Sequence, residues 1–521
     1  MGNLSQLGQG FLVALHPFNL LLAAFGCFTG TVLGMLPGLG PINGVAILLP
    51  LAFAMQLPPE SALILLAAVY MGCEYGGRIS AILLNVPGDA GAVMTTVDGH
   101  PMARQGKAGV ALSISAVSSF VGALIATMGI ALFAPLLARW ALGFGPSEYF
   151  ALMVFAIATM GGMLGNKPVK ALLGCMIGLT LATVGIDSGT GVYRLTFGSI
   201  HLSDGVQFIV VVIGLFSISE ILMLLEQTHI GQHAIKVSGR LIFNAKELSR
   251  SAYTIGRSAL LGFGIGILPG AGATVASALA YTTEKHLSSG KEATFGEGDV
   301  RGVAAPEAAN NASACGSFIP MLTLGVPGSG TTAVMLGALT LYNITPGPLL
   351  FQNQPTIVWG LIASLFVANV LLLVMNIPLI GLFTRMLEIP KSILVPLIAT
   401  VSFVGVYGVH SGTFDLLLMI VLGVVGYVLR KLSFPTAPII LGFVLAELME
   451  QNLRRALSIS DGDPRILFSS PLCIVLWTMA ALVLVVPLVL RIRNRGRRIT
   501  RTSPADGGGG GEASGESQLK E

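Results

Sequence analysis

Charge is what this chain has least of. Of its 521 residues, 10% are Asp, Glu, Lys or Arg and 53% are apolar, whereas soluble domains run at about 25% charged. A water-soluble protein of this length would need far more polar surface to cover its core. The deficit runs along the whole chain, so one anchor helix does not account for it. Cysteine is also sparse. Cys27, Cys73, Cys175, Cys315 and Cys473 lie singly in apolar contexts with no CxxC pair, which reads as small hydrophobes and not as a disulfide or metal framework. The seven histidines are scattered. His229 and His233 share an i, i+4 spacing but have no acidic partner nearby, so no zinc site is expected. GxSxG, HExxH and GxxxxGK[ST] are all absent, which speaks against those hydrolase, metalloprotease and nucleotide-hydrolysing mechanisms. No Lys/Arg-rich n-region opens the chain, so no cleavable signal peptide is expected. No basic stripe interleaves with aromatics, so nucleic acid is not an expected partner.

What is present is a series of long apolar runs. A bilayer core about 30 Å thick takes about 20 apolar residues as helix. Such runs cover 18–56, 61–87, 108–136, 147–165, 168–186, 205–226, 257–282, 313–341, 356–383, 392–409, 413–429, 434–450 and 471–490. The reading is an all-α polytopic membrane protein with about 10–12 transmembrane segments. Beyond Arg491 the chain turns Arg-rich, then Gly-rich and polar, and is expected to be a disordered cytoplasmic tail over 491–521. Glycine is plentiful at 66 residues. It follows no G-x-y period, and fits close helix packing and broken helices in a bilayer.

Two motifs occur twice, in the same order. Leu36-Pro37-Gly38-Leu39-Gly40 is echoed by Leu268-Pro269-Gly270-Ala271-Gly272. Val86-Pro87-Gly88-Asp89 is echoed by Val326-Pro327-Gly328-Ser329. Pro37 to Pro87 is 50 residues and Pro269 to Pro327 is 58. This predicts an internal duplication: a first membrane repeat over 1–228, a cytoplasmic linker over 229–257 and a second repeat over 258–490. Basic residues alternate between loops in opposite phase in the two halves. Arg104 and Lys107 face a basic-free 341–355. The Lys167 and Lys170 turn likewise faces a basic-free 410–415, and Arg194 alone faces Arg430 and Lys431. By the positive-inside rule this is an inverted-topology repeat with a cytoplasmic C-terminus, provided that 61–95 and 313–341 are re-entrant hairpins. Arg454, Arg455 and Arg465 fall on the wrong side of that scheme.

Each Pro-Gly element must break a helix, because proline removes a donor and glycine permits unusual dihedrals. In hydrocarbon such a break survives only where it lines a protein-enclosed cavity. The half-helix N-termini then offer N–H groups and about half a positive charge each, a natural seat for anions. The candidate substrate-binding residues are Gly38, Gly40, Asn43, Asn85, Gly88, Gly270, Gly272, Thr274, Asn311, Gly328, Ser329 and Thr331. Candidates for coupling an ion, H⁺ or Na⁺, are Asp89, Asn310, Ser313, Glu74 and Arg78. Glu74 and Arg78 are spaced i, i+4 and read equally well as functional charges or as a structural ion pair, and Asp89 could carry a proton or pair with Arg78. Met160 reads as core. No cofactor is expected.

These motifs, with Tyr75-Gly76-Gly77-Arg78-Ile79-Ser80, Asp98-Gly99-His100-Pro101 and Pro306-Glu307-Ala308-Ala309-Asn310-Asn311-Ala312, resemble the large membrane subunit of the tripartite tricarboxylate transporters, the TctA family. The resemblance covers about residues 15 to 490. It implies a multi-pass protein of the bacterial inner membrane, driven by an ion gradient. The implied partners are a TctB-like small membrane subunit and a TctC-like periplasmic solute-binding protein that delivers a carboxylate. At matching positions it points to Pro37, Gly38 and Gly40, to Tyr75, Gly76 and Gly77, to Asn85, Pro87 and Gly88, to Asn310 and Asn311, and to Pro327, Gly328 and Ser329. An elevator-like mechanism follows only by analogy of fold. The expected function is import of a tri- or dicarboxylate. The alternatives are a stand-alone ion-coupled carrier without a binding protein and, behind it, a membrane-embedded enzyme, for which no nucleophile and base converge.

Overall fold

The computed structural model describes residues 2–163, 167–187, 189–226, 235, 237, 240, 242–270, 272–288, 294–387, 389–410 and 412–501. Lys236, His229, His233, Ala271 and the Gly-rich 502–521 lie outside the described residues.

Among the described residues, the regular structure is helical apart from one two-stranded antiparallel ribbon, Gly185–Ile186 with Tyr193–Arg194. In the first half, α1 (Asn3–Ala14) is followed by α2 (Pro17–Met35), α3 (Gly40–Ala54), α4 (Pro59–Leu84), α5 (Val93–Met102), α6 (Ala108–Ala141), α7 (Pro146–Met163) and α8 (Pro168–Ala182). After the ribbon, α9 (Phe208–Val212) runs through a π-helical stretch, Ile213–Ile218, into α10 (Ser219–Glu226). The second half holds α11 (Ala245–Gly266), α12 (Gly272–Leu287), α13 (Val300–Gly316), α14 (Phe318–Leu324), α15 (Gly330–Leu341), α16 (Leu350–Asn353), α17 (Pro355–Asn376), α18 (Ile380–Met386), α19 (Lys391–His410), α20 (Thr413–Lys431), α21 (Ala437–Ile459) and α22 (Pro471–Arg501). Among the described residues, seven helical stretches are long and apolar enough to cross a bilayer, and four shorter apolar helices accompany them. The outer faces of α19, α20 and α22 expose Leu397, Val404, Leu417, Val424, Val428 and Val485, as lipid-facing helices do.

Two expected boundaries move. Helix α11 starts inside the stretch read as linker, because Asn244 and Glu247 form a reciprocal capping box at its N-terminus. Its first turns are amphipathic, so an apolar window misses them. Helix α22 continues through the Arg-rich 491–501, which had been expected to be disordered. The 61–95 stretch is an unequal helix–turn–helix: the 26-residue α4, then the short α5.

Small residues let the helices that carry the breaks approach closely. Gly26, Gly30 and Gly34 put α2 on the backbone of α4, and a Cβ at Gly34 would lie 2.1 Å from the Cys73 carbonyl oxygen. In the second half, Gly262 and Gly266 do the same for α11 on α13, against Ala309 and Ser313. Helices α2, α4, α6, α11, α13 and α17 form one packed body; α3, α9, α10, α19 and α20 flank it, and α7, α8, α21 and α22 form a second flank. Each flank mixes segments from both halves.

Candidate functional site

Four helix breaks meet at one place. Between α2 and α3 the chain turns at Leu36–Leu39, with Gly38 at φ 92° and Gly40 at φ 55°. Between α11 and α12, Gly270 and Gly272 repeat the turn at φ 77° and 67°. Helix α4 ends on Asn85 in the left-handed region, φ 57°, and α14 ends on Gly325 at φ 67°. Each Val-Pro-Gly element then leads into a new helix, α5 or α15. A cavity of about 750 Å³ lies among them. Its wall contains the first residues of four helices, Gly40 of α3, Val93 of α5, Gly272 of α12 and Gly330 of α15. Four helix N-termini, the positive ends of their dipoles, therefore border one space, which suits an anion.

Most of the sequence-derived candidates stand in this wall: Gly38, Gly40, Asn43, Gly88, Gly270, Gly272, Thr274, Ser329 and Thr331, with Glu74 and Asp89. Asn43 Nδ2 donates to the Gly38 carbonyl at 3.1 Å and so props the first break, while its Oδ1 is buried without a partner. Ser329 caps α15 reciprocally with Thr332, at 2.8 Å and 3.2 Å. Its hydroxyl also meets the Tyr70 hydroxyl at 3.3 Å. The Glu74 and Asp89 carboxyls stand close to one another beside the cavity, where two like charges repel. Asp89 Oδ1 also accepts from the Ala92 N–H at 3.0 Å.

Other candidates stand behind the wall. Asn310 Nδ2 donates to Glu74 Oε2 at 2.9 Å and its Oδ1 has no partner. Asn311 Nδ2 donates to the Glu307 carbonyl at 3.2 Å, and its Oδ1 is likewise orphaned. Ser313 packs under Gly266 with an unpartnered hydroxyl. Gly328 accepts from the Gly270 N–H at 3.0 Å and so ties the third break to the fourth. Asn85 is a helix terminator.

Arg78 corrects an expectation. It pairs with neither Glu74 nor Asp89. It donates to the Leu112 carbonyl at 2.7 Å, Ser115 Oγ at 2.6 Å and Asn376 Oδ1 at 3.1 Å. The guanidinium reaches α6 and α17, where a carbonyl, a hydroxyl and an amide oxygen take its Nη groups while its Nε is buried without a partner. Glu74 turns the other way, towards Asn310, and the i, i+4 spacing does not make a pair.

Several wall residues were missed. Tyr70, Phe216, Met160, Arg430 and Thr436 line the cavity. Met160 had been read as core, and it is buried, but a Cβ on Gly270 would lie 2.9 Å from its Cγ. Arg430 had been used only as a charge in the loop alternation. A cation at the end of an apolar helix, opposite four predicted breaks, was the available signal.

Outside the membrane segments, Asp187 and Glu450 hold Arg454, at 2.7 Å and 2.6 Å, and Glu450 also takes Arg194 at 2.8 Å. Arg454, an exception to the charge scheme, is thus neutralised by neighbours. The Gly189 N–H, then Arg454 and Thr190, hold the Asp187 carboxyl well below its usual range.

A family model described as the tripartite tricarboxylate transporter TctA family matches residues 20–441. An Agrobacterium vitis protein described as an uncharacterized 52.8 kDa protein in the TAR-I ttuC' 3' region is 40% identical over 495 residues, covering 95% of this chain and 98% of its own. A second from the same organism, described as in the TAR-II ttuC' 3' region, is 43% identical over 231 residues, covering 44% of this chain and 95% of its own. No solved structure matches.

Proposed function

The chain belongs to the tripartite tricarboxylate transporter TctA family, and on that premise we propose that it is the large transmembrane subunit of a secondary active transporter that imports a tri- or dicarboxylate. The observation that carries the reading is the convergence of four helix N-termini on one cavity of about 750 Å³. A small polyanion needs several donors at once and cannot be left uncompensated in hydrocarbon. Helix N-termini supply N–H groups with fixed orientation, and Ser329, Thr331 and Thr274 add hydroxyls.

The coupling ion, H⁺ or Na⁺, binds at Glu74 and Asp89. Two neighbouring carboxyl groups shielded from water favour a proton or a cation between them. The unpartnered Asn310 Oδ1, close behind Gly91, adds a neutral oxygen to that place. In this reading the chain works in the bacterial inner membrane with its C-terminus in the cytoplasm. A TctB-like small subunit and a TctC-like periplasmic binding protein complete the system, and the two halves form an inverted repeat.

The test is uptake of labelled citrate, succinate and tartrate by cells that express the full chain with the genes flanking its own. Uptake of at least one of them is expected, with collapse of the ion gradient stopping it. Ser329→Leu is expected to abolish uptake with normal membrane insertion. No uptake of any di- or tricarboxylate, or wild-type uptake in Ser329→Leu, would overturn the assignment.

A further inference from the structure

We propose that Arg430 is the anchor for one substrate carboxylate, and that Glu220 is a tethered internal anion that holds it ready while the cavity is empty. The inference rests on the carboxylate reading above and goes beyond it by assigning a binding residue and a competitor.

Among the described residues, Arg430 is the only Lys or Arg in the cavity wall. It sits in the last turn of α20. Its Nη1 donates to Glu220 Oε2 at 2.5 Å and to Ser219 Oγ at 3.3 Å. Nε and Nη2 take no partner among the described residues, and a quarter of the side chain is accessible, at 24%. The guanidinium therefore has one edge engaged and the rest of its planar fork open to the cavity. That fork matches the two oxygens of a carboxylate. The neighbouring cation is spoken for: Lys431 pairs with Glu226, which also accepts from the Tyr427 hydroxyl at 3.0 Å.

Glu220 is placed to compete. Its carboxylate is 3% exposed, and its Oε1 lies 3.0 Å from where a Cβ on Gly38 would stand. One carboxylate thus spans from Arg430 to the first helix break. An incoming anion and Glu220 address the same guanidinium and the same backbone turn. The local backbone points the same way: the π-helical stretch Ile213–Ile218 ends immediately before Ser219 and Glu220. A π-turn inserts a residue and re-aims the side chains after it, and such turns recur at functional sites. Gly214, Gly423 and Gly426 let this stretch pack closely on α20, so the two side chains are positioned as a unit. The remaining charged groups among the described wall residues, Glu74 and Asp89, are acids, so no other described side chain there can neutralise a carboxylate.

The experiment is initial-rate uptake of labelled citrate and succinate by the full chain expressed with its flanking genes, with membrane amounts matched by immunoblot. Arg430→Gln is expected to raise KM roughly 10- to 100-fold, the size of one lost charge-assisted hydrogen-bonded contact. Arg430→Lys keeps the charge, loses the fork, and is expected to fall between the two. Glu220→Gln removes the competing anion and is expected to lower KM several-fold. Unchanged KM in Arg430→Gln, or a raised KM in Glu220→Gln, overturns the inference. If Arg430→Gln fails to insert, the KM values of Arg430→Lys and Glu220→Gln decide it in the same way. Absence of uptake by the wild type overturns the carboxylate reading, and this inference with it. Uptake by the wild type with an indifferent Arg430 overturns this inference alone.

Discussion

Replacing Gly88 by Ala probes whether the breaks must keep their geometry for the cavity to work. A Cβ built on Gly88 falls 2.0 Å from the Gly34 carbonyl oxygen and 2.6 Å from the Gly77 Cα. Both obstacles are backbone, so no side chain can rotate away. Ordinary contact would require the second break to move off α2 and α4 by more than 1 Å. Overpacking of this kind costs about 1–3 kcal/mol. The same displacement shifts Asp89 and the start of α5, both in the cavity wall. A misplacement of about 1 Å at a working site can lower turnover by about a hundredfold. The comparison is Gly106→Ala, outside the cavity wall, where φ is 76° but nothing lies within 4 Å. That change costs only backbone strain, about 1–2 kcal/mol. The assays are thermal unfolding in detergent and uptake rate in cells. Gly88→Ala is expected to lose stability comparable to Gly106→Ala but far more transport. Equal transport in the two variants would refute the view that the second break is locked against α2 and α4.

Glu74→Gln and Asp89→Asn each remove one member of the acidic pair, and each is expected to abolish the dependence of uptake on the imposed ion gradient; gradient-driven uptake in both would remove the pair from coupling. Tyr75 donates to Asn369 Oδ1 at 2.8 Å, and Asn369 in turn donates to the Phe120 carbonyl at 2.9 Å, so Tyr75→Phe is expected to destabilise by about 1–2 kcal/mol, read as a lower unfolding temperature. Asp187 is held below its ordinary carboxylate value by the Gly189 N–H and Arg454. A depressed folded-state value gives stability that is present above the ordinary value, about 3.9, and lost as pH falls through the folded one. Proteolytic clipping of the 183–205 loop by an acid-stable protease is therefore expected to rise only at strongly acidic pH, and Asp187→Asn is expected to show faster clipping already at neutral pH. Equal clipping of variant and wild type at neutral pH would dissociate the loop from that carboxylate.

The breaks were legible because their cause is local. Proline and glycine in mid-segment leave the backbone no helical solution, whatever packs around it. Most long apolar helices were legible for the same reason, since composition alone marks them. Helix α13 was not. Arg301, Glu307, Asn310 and Asn311 make its first turns look like loop, yet residues 302–316 are all buried. What buries them is pairwise: Gly122 sits against Ala308 and Gly262 against Ala309, while Thr95 and Ser119 satisfy Glu307 at 2.6 Å and 3.0 Å. Every one of those partners comes from another helix. The same limit hid Arg430 and Glu220, 210 residues apart in sequence. Conversely, the i, i+4 spacing of Glu74 and Arg78 suggested a pair that tertiary partners override.

The placement of charge across the cavity constrains any transport cycle. Glu74 and Asp89 belong to or adjoin α4, in the packed central body, whereas Arg430 and Phe216 belong to the flank built on α9, α10, α19 and α20. Within the central body, α2 lies on α4 and α11 on α13 through backbone-to-glycine contacts, which leave little room for sliding. Across the cavity the tie runs through a side chain instead: Glu220, held by Arg430, reaches the first break at Gly38. An anion that takes over Arg430 while resting on the helix N-termini would tie flank to body. On the proposed reading, a proton or Na⁺ on Glu74 and Asp89 would remove the repulsion such an anion meets in the same cavity. The two ligands then favour each other's binding, and by linkage the factor must be the same in both directions. On the proposed reading, acids and a guanidinium bordering one cavity would let a cation and an anion be carried together.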